Sequence, residues 1–141
     1  TDSNQTLHQL INTEPIDKFV LHSPTYNNKT TYGMVLLVIS ANYEKDLRKE
    51  IREQWAAKKE SYVHKSGRAL VIFLVGRSAE LEEEASSYGD LLEMDIEETY
   101  RNLVYKVEAG FRWIKEHVKS EFVAKIDSDT VVHIDRLYDR L

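Results

Sequence analysis

The chain has 141 residues, 42% apolar and 30% charged, with five Gly and two Pro. This composition excludes disorder and low-complexity linkers and fits one globular domain burying about 70% of its unfolded surface. Absent cysteine excludes disulfides and thiolate chemistry, and a net charge of −5 argues against a sequence-independent nucleic-acid binder. The longest apolar runs, Ala69 to Val75 and Met34 to Ile39, fall far short of the roughly 20 residues a membrane span needs.

Residues 1–33 read as a polar stem or extension, punctuated by Pro15, Pro24 and Gly33. Two N-x-[ST] sequons, at Asn4 and Asn28, lie here. About 0.8 would occur by chance, so the pair only suggests a secretory or luminal setting. From residue 34 the pattern becomes regular. Met34 to Ile39 is a continuous apolar run, as expected of a strand covered on both faces. A helix is predicted over about Glu44 to Glu60, with Leu47, Ile51 and Trp55 on one face. Leu70 to Val75 forms a second buried strand. Ser78 is placed to cap a short acidic helix, in which Glu80 to Glu84 form a solvated face.

Asp90 to Asp95 gives a third strand. The next helix is predicted from about Glu98 to Lys119, with Tyr100, Leu103, Val104, Val107, Phe111, Ile114 and Val118 as its apolar stripe. Glu121 to Ile126 is a fourth strand, running into Asp127-Ser128-Asp129. Thr130 to Ile134 is again strand-like, and Asp135 is placed to cap a last helical turn. Strands alternating with helices at this spacing define an α/β domain over 34–141 with a mainly parallel sheet. Ligands bind such sheets beyond the carboxyl ends of the strands, where Asp127 and Asp129 fall.

Two carboxylates at this spacing suit a hard divalent cation, Mn²⁺ or Mg²⁺, shared with substrate phosphates. With nine Asp in the chain, about 0.6 D-x-D triplets arise by chance, so an ordinary exposed turn competes until context is added. The stretch also fits D-x-D-x-[TV], in which Asp127 would be a phosphatase-type nucleophile. That motif usually opens its fold, whereas only a dozen residues follow Asp129 here. Dinucleotide, P-loop, hydrolase-elbow and zincin motifs are absent. His8, His22, His64, His117 and His133 show no ligand spacing.

Three stretches together resemble glycosyltransferase family 31, the β-1,3-galactosyltransferases, β-1,3-N-acetylglucosaminyltransferases and fringe proteins. Arg48-x-x-Ile51-Arg52-x-x-Trp55 is similar to R-x-A-I-R-x-T-W, departing at Glu50 and Gln54. Tyr88-Gly89-Asp90-Leu91, Asp95-Ile96 and Tyr100-x-Asn102-Leu103-x-x-Lys106 resemble the family's second block, with Val104 for its usual Thr. Phe122-x-x-Lys125-x-Asp127-Ser128-Asp129 is similar to F-x-x-K-x-D-D-D, with Ser128 in the middle place.

The resemblance implies a GT-A type, Rossmann-like fold and inverting transfer of galactose or N-acetylglucosamine from a UDP-sugar to a glycan on a protein or lipid acceptor, forming a β-1,3 linkage. It also implies a Golgi-luminal domain on a type II membrane anchor lying outside this sequence. Asp129 would then be the metal ligand, and Asp127 would contact the nucleotide or assist at the metal. Arg52 and Lys106 match basic positions that would face the UDP, although an exposed helix charge is the simpler reading of each. Tyr100, Leu103 and Trp55 would be core residues. The family's general base lies well downstream of its D-x-D. Here it is expected beyond Leu141, and no catalytic residue is assigned within the chain.

Thr1 and the absence of that downstream region suggest a piece of a longer chain, with the domain incomplete at its C-terminus and catalytically inert alone. Such a piece would expose a strand edge and associate. A non-catalytic α/β binding module or degenerate transferase is the competing reading, supported by Ser128, Glu50, Gln54 and Val104.

Overall fold

The computed structural model describes residues 3–141, with side chains from residue 6 onward. Its centre is a five-stranded sheet in the order β1-β4-β3-β2-β5. Strands β2 (Met34–Ile39), β3 (Ala69–Val75), β4 (Leu91–Met94) and β5 (Val123–Asp127) are parallel. Every residue of β2 is buried, as its unbroken apolar run requires of a central strand covered on both faces. One layer contains α2 (Lys45–Glu53), α3 (Tyr62–Lys65), α4 (Glu82–Tyr88) and α6 (Ile134–Asp139). The opposite layer contains α1 (Ser3–Thr13) and α5 (Leu103–His117). The sheet thus separates two apolar clusters, one around Met34, Phe73 and Ile51, the other around Leu37, Leu74 and Trp113.

The stretch read as an N-terminal extension is built into this domain. Strand β1 (Val20–His22) adds an antiparallel edge to β4, and Ile11 and Ile16 are fully buried in the Trp113 cluster. Arg112 donates to the carbonyls of Ile11 and Glu14, tying α1 to α5. Without regular apolar spacing, this packing left little signal in the sequence.

Helix α2 stops at Glu53 rather than continuing to Glu60. The amide of Ala56 bonds the carbonyl of Ile51, a wide terminal turn that tucks Ala56 into the core. Helix α5 starts at Leu103, and its buried face is Lys106, Ala109, Gly110, Trp113 and Ile114. Tyr100 is 93% exposed, and Leu103, Val104 and Phe111 are also exposed, so Tyr100 and Leu103 are not core residues, whereas Val107, Ile114 and Val118 of the expected stripe pack into the Trp113 cluster. Close approach decides the rotation. A Cβ on Gly110 would lie 2.7 Å from Leu74 Cδ2, so the sheet-facing side needs small residues.

Residues 130–133 form no strand and lead into α6. Asp135 caps α3 instead of α6, accepting from Ser61 Oγ (2.7 Å), Val63 N (3.0 Å) and Tyr62 N (3.1 Å). Ser78 Oγ bonds Glu80 N in a turn ahead of α4. Among the described residues no helix is long and apolar enough to cross a membrane.

Candidate functional site

Strand β2 has β3 on one side and β5 on the other, so the chain reverses its direction of winding at β2. A crevice opens at such a point beyond the carboxyl ends of the two diverging strands. Here those ends are Ile39, leading into Ser40-Ala41-Asn42, and its partner Asp127, leading into Ser128-Asp129.

Three carboxylates fix the loops around this crevice. Glu44 Oε1 accepts from Ala41 N (2.9 Å), Ser40 Oγ (3.3 Å) and Ser128 Oγ (3.1 Å), joining the β2 loop to the β5 loop. Glu98 Oε1 accepts from Asn42 N (2.7 Å) and Gly76 N (2.9 Å), so the β2 and β3 loops share one anchor. Glu84, 2% exposed, takes both oxygens to Arg48 at 2.7 Å and one to Arg52 at 2.7 Å. It is therefore not part of a solvated acidic face. Burial pushes its carboxyl up, but hydrogen bonds and charge from Arg48 and Arg52 outweigh this and hold it below the ordinary value. Arg48, fully buried, also reaches Ser40 Oγ, Ala41 O and Asn42 O.

Lys106 and Arg52 are not exposed helix charges. Lys106 Nζ, buried beneath the β2 loop, donates to Ser40 O (3.0 Å) and Glu98 Oε2 (2.8 Å). It stands at the carboxyl edge, but its ammonium is engaged in holding the loop. Arg52 is not brought to the aspartates at all. Its Nε and Nη2 bond Asp90 at 2.8 and 2.9 Å, at the amino end of β4, and its guanidinium stacks 3.9 Å over Tyr88. Asp90 and Glu84 hold its pKa above the ordinary value although burial alone would lower it.

Asp127 and Asp129 differ from these carboxylates in being exposed. The Asp127 carboxylate makes only a 3.5 Å contact with Lys125 Nζ. Asp129 lines a cleft of about 650 Å³ between the second half of α2 and residues 128–134, shared with Glu50, Gln54, Trp55 and His133. Trp55 is half-buried against the Met34–Phe73 cluster. Leu141, beyond which the general base is expected, is exposed after α6 and does not line this cleft. Among the described residues no group of three or more His, Cys, Asp or Glu is arranged to hold a metal. Asp129 lines the cleft and Asp127 does not; two open carboxylates of this kind would suit a hard cation completing its shell with phosphate oxygens and water, and would not make a protein-only cage. Asn28 is exposed in the turn before β2, whereas the side chain of Asn4, in α1, lies outside the described residues.

Sequence reasoning missed Glu44 and Glu98 altogether. Each acts through loop amides, which no side-chain spacing announces.

The family model described as galactosyltransferase matches residues 46–141. The chain is similar to β-1,3-galactosyltransferase 1 of Homo sapiens and of Mus musculus, each 30% identical over 93% of this chain and 43% of the relative. It is also 33% identical to UDP-GalNAc:β-1,3-N-acetylgalactosaminyltransferase 1 of Rattus norvegicus, over 85% of this chain and 38% of that protein. The chain spans less than half the length of these relatives.

Proposed function

Because the chain belongs to the galactosyltransferase family, we propose that it is the donor-binding part of a UDP-sugar-dependent β-1,3-hexosyltransferase, acting on a glycan acceptor in the Golgi lumen. The observation that carries this reading is the position of Asp127 and Asp129. They are open carboxylates at the carboxyl end of β5, beside β2, where the winding of the sheet reverses.

In this reading Asp129 holds the divalent cation, Mn²⁺ or Mg²⁺, and Asp127 contacts the nucleotide or a water on the cation. When bound, the cation supplies charge neutralisation for the departing diphosphate. The protein's own contribution is preorganisation. Lys106 and Glu98 fix the carbonyl and amides of the β2 loop, and Glu44 fixes Ser128 between the two aspartates. Held loops lose little freedom when a donor binds, so less of the binding energy is spent on ordering them. Lys106 therefore acts on the donor site as a positioning residue, whereas Arg52 is linked to it only through Glu84 and Arg48. No residue up to Leu141 is assigned as the general base for the acceptor hydroxyl.

The test is calorimetric titration of UDP into the chain with Mn²⁺, with EDTA, and with Asp129→Ala. Binding that needs both the metal and Asp129 is the expected result. A folded protein that binds UDP equally well in EDTA, or not at all, contradicts the reading. In the second case the degenerate-transferase alternative, with Ser128 in the middle of the triplet, takes its place.

A further inference from the structure

Two adjacent asparagines stand in the turn before β2, and the structure gives them different work. Asn27 is spent on the turn itself. Its Oδ1 accepts from Lys29 N (2.9 Å) and its carbonyl from Thr30 N (3.3 Å), while its own amide donates to the hydroxyl of the buried Tyr32 (2.9 Å). An asparagine that bonds its own backbone two residues on builds a turn of this kind. Asn28 stands at the tip. It is exposed, and its side chain makes no hydrogen bond with any described residue.

The flanks of the turn are tied down. Thr25 N bonds Gly89 O (2.8 Å), Tyr26 meets Trp113 edge-on with ring centroids 5.6 Å apart, and Tyr32 N bonds Lys119 O (2.9 Å). The turn is thus carried outward on a fixed base, and the Asn28 carboxamide is its free group.

We propose that Asn28 is a modification site, the attachment point of an asparagine-linked oligosaccharide. The proposal rests on the luminal setting of the function proposed above. The family match begins only at residue 46 and assigns nothing here.

The chemistry needs an accessible carboxamide with a hydroxyl two residues on, and no proline between them. Asn28-Lys29-Thr30 supplies all three, and the Thr30 hydroxyl has no hydrogen-bond partner among the described residues. The co-reactant is a lipid-linked diphospho-oligosaccharide. Asn28 Nδ2 attacks its anomeric carbon, so an N–C bond forms as the C–O bond to phosphate breaks. The lipid diphosphate departs with that electron pair, and one amide proton passes to a base of the transferring enzyme.

A glycan is bulky and hydrated, so the fold must leave it both an exposed side chain and an unused amide. Asn28 meets both conditions, and Asn27 fails the second. Position also suits the proposed function. The turn precedes the amino end of β2, whereas Asp127 pairs with Ile39 at its carboxyl end. A strand of six residues sets the two edges about 17–20 Å apart, which leaves the donor crevice open.

The experiment directs the whole chain into a eukaryotic secretory pathway behind a cleavable signal, with a reporter sequon appended after Leu141. Glycans are released by an amidase in heavy-oxygen water, which turns each occupied Asn into a labelled Asp, and the peptides are read by mass spectrometry. Among chains labelled at the reporter, most are expected to carry the label at Asn28 as well. Thr30→Ala should abolish that label, and Thr30→Ser should retain part of it. An unlabelled Asn28 in chains that carry the reporter label, or a label undiminished in Thr30→Ala, overturns the proposal. Label at Asn28 in a chain that fails to bind UDP with Mn²⁺ would sink the donor reading and leave this site standing. UDP binding by a chain whose Asn28 stays bare would do the reverse.

Discussion

Among single residues, Glu84 has the largest expected effect. Of the described carboxylates it alone is bonded to both Arg48 and Arg52, and all three side chains are buried or nearly so. Removing one member of such a set leaves charge uncompensated in the interior, at a cost of about 3–5 kcal/mol. Glu84→Ala is therefore expected to lower the unfolding free energy by that amount in urea titration. The pH dependence has a definite sign. A carboxyl held below its unfolded value contributes stability that is complete above that value and is lost as pH falls through the folded one. Acid unfolding of the native chain should show this loss, and Glu84→Gln should flatten it. Ser128 yields a second expectation. Its hydroxyl donates to Glu44 Oε1 at 3.1 Å, so Ser128→Asp would set two carboxylates against each other. Ser128→Asp should weaken Mn²⁺-dependent UDP binding at pH 8 and recover part of it at pH 6, where one of the two can hold a proton. Equal binding at both values would show that the two loops are not coupled through Glu44.

For the elements, the close contact of α5 with the sheet is the testable feature. Gly110→Ala gains about 1 kcal/mol of helix propensity but must displace Leu74, itself fully buried, at about 1–3 kcal/mol. A net loss on the order of 1 kcal/mol is expected in thermal unfolding, and a stabilised variant would mean that α5 does not approach so closely. The same helix shows where sequence reading ends. The strands were legible because a continuous apolar run such as Met34 to Ile39 has few other solutions. On α5, however, the apolar count favoured Tyr100, Leu103, Val104 and Phe111, whereas steric fit turned Ala109 and Gly110 inward. Burial of Lys106 could not be read from polarity, since one partner, Ser40 O, comes from the distant loop after β2 and the other, Glu98, from the segment leading into α5. For the same reason Asp135 looked like a cap for its own helix while it serves α3, more than seventy residues earlier in the chain. The D-x-D position was legible, because the end of a strand is a local property. Its supporting frame was not, because Glu44, Glu84 and Glu98 act across loops.

On the scale of the molecule, the chain forms a sheet with an unpaired outer edge at β5. That strand carries the mostly apolar sequence Val123-Ala124-Lys125-Ile126, and Phe122 beside it is exposed. Open edges of this kind pair with copies of themselves. Light scattering is expected to give an apparent mass rising above 16.5 kDa with concentration, and a monodisperse monomer at millimolar concentration would contradict this. Lys125→Pro should suppress the association, because the parallel register turns the Lys125 amide away from β2 and proline removes it from the open edge.

In the proposed reading a donor and its cation occupy the carboxyl edge between β2 and β5. Mn²⁺ is paramagnetic, and backbone amide spectra of the chain in the presence of UDP would locate it directly. The expected result is broadening centred on residues 127–130 and 40–44, dependent on UDP and lost in Asp129→Ala, with His64 at the opposite edge unaffected. Broadening centred instead on the acidic residues 80–83, or unchanged by Asp129→Ala, would contradict the proposed site.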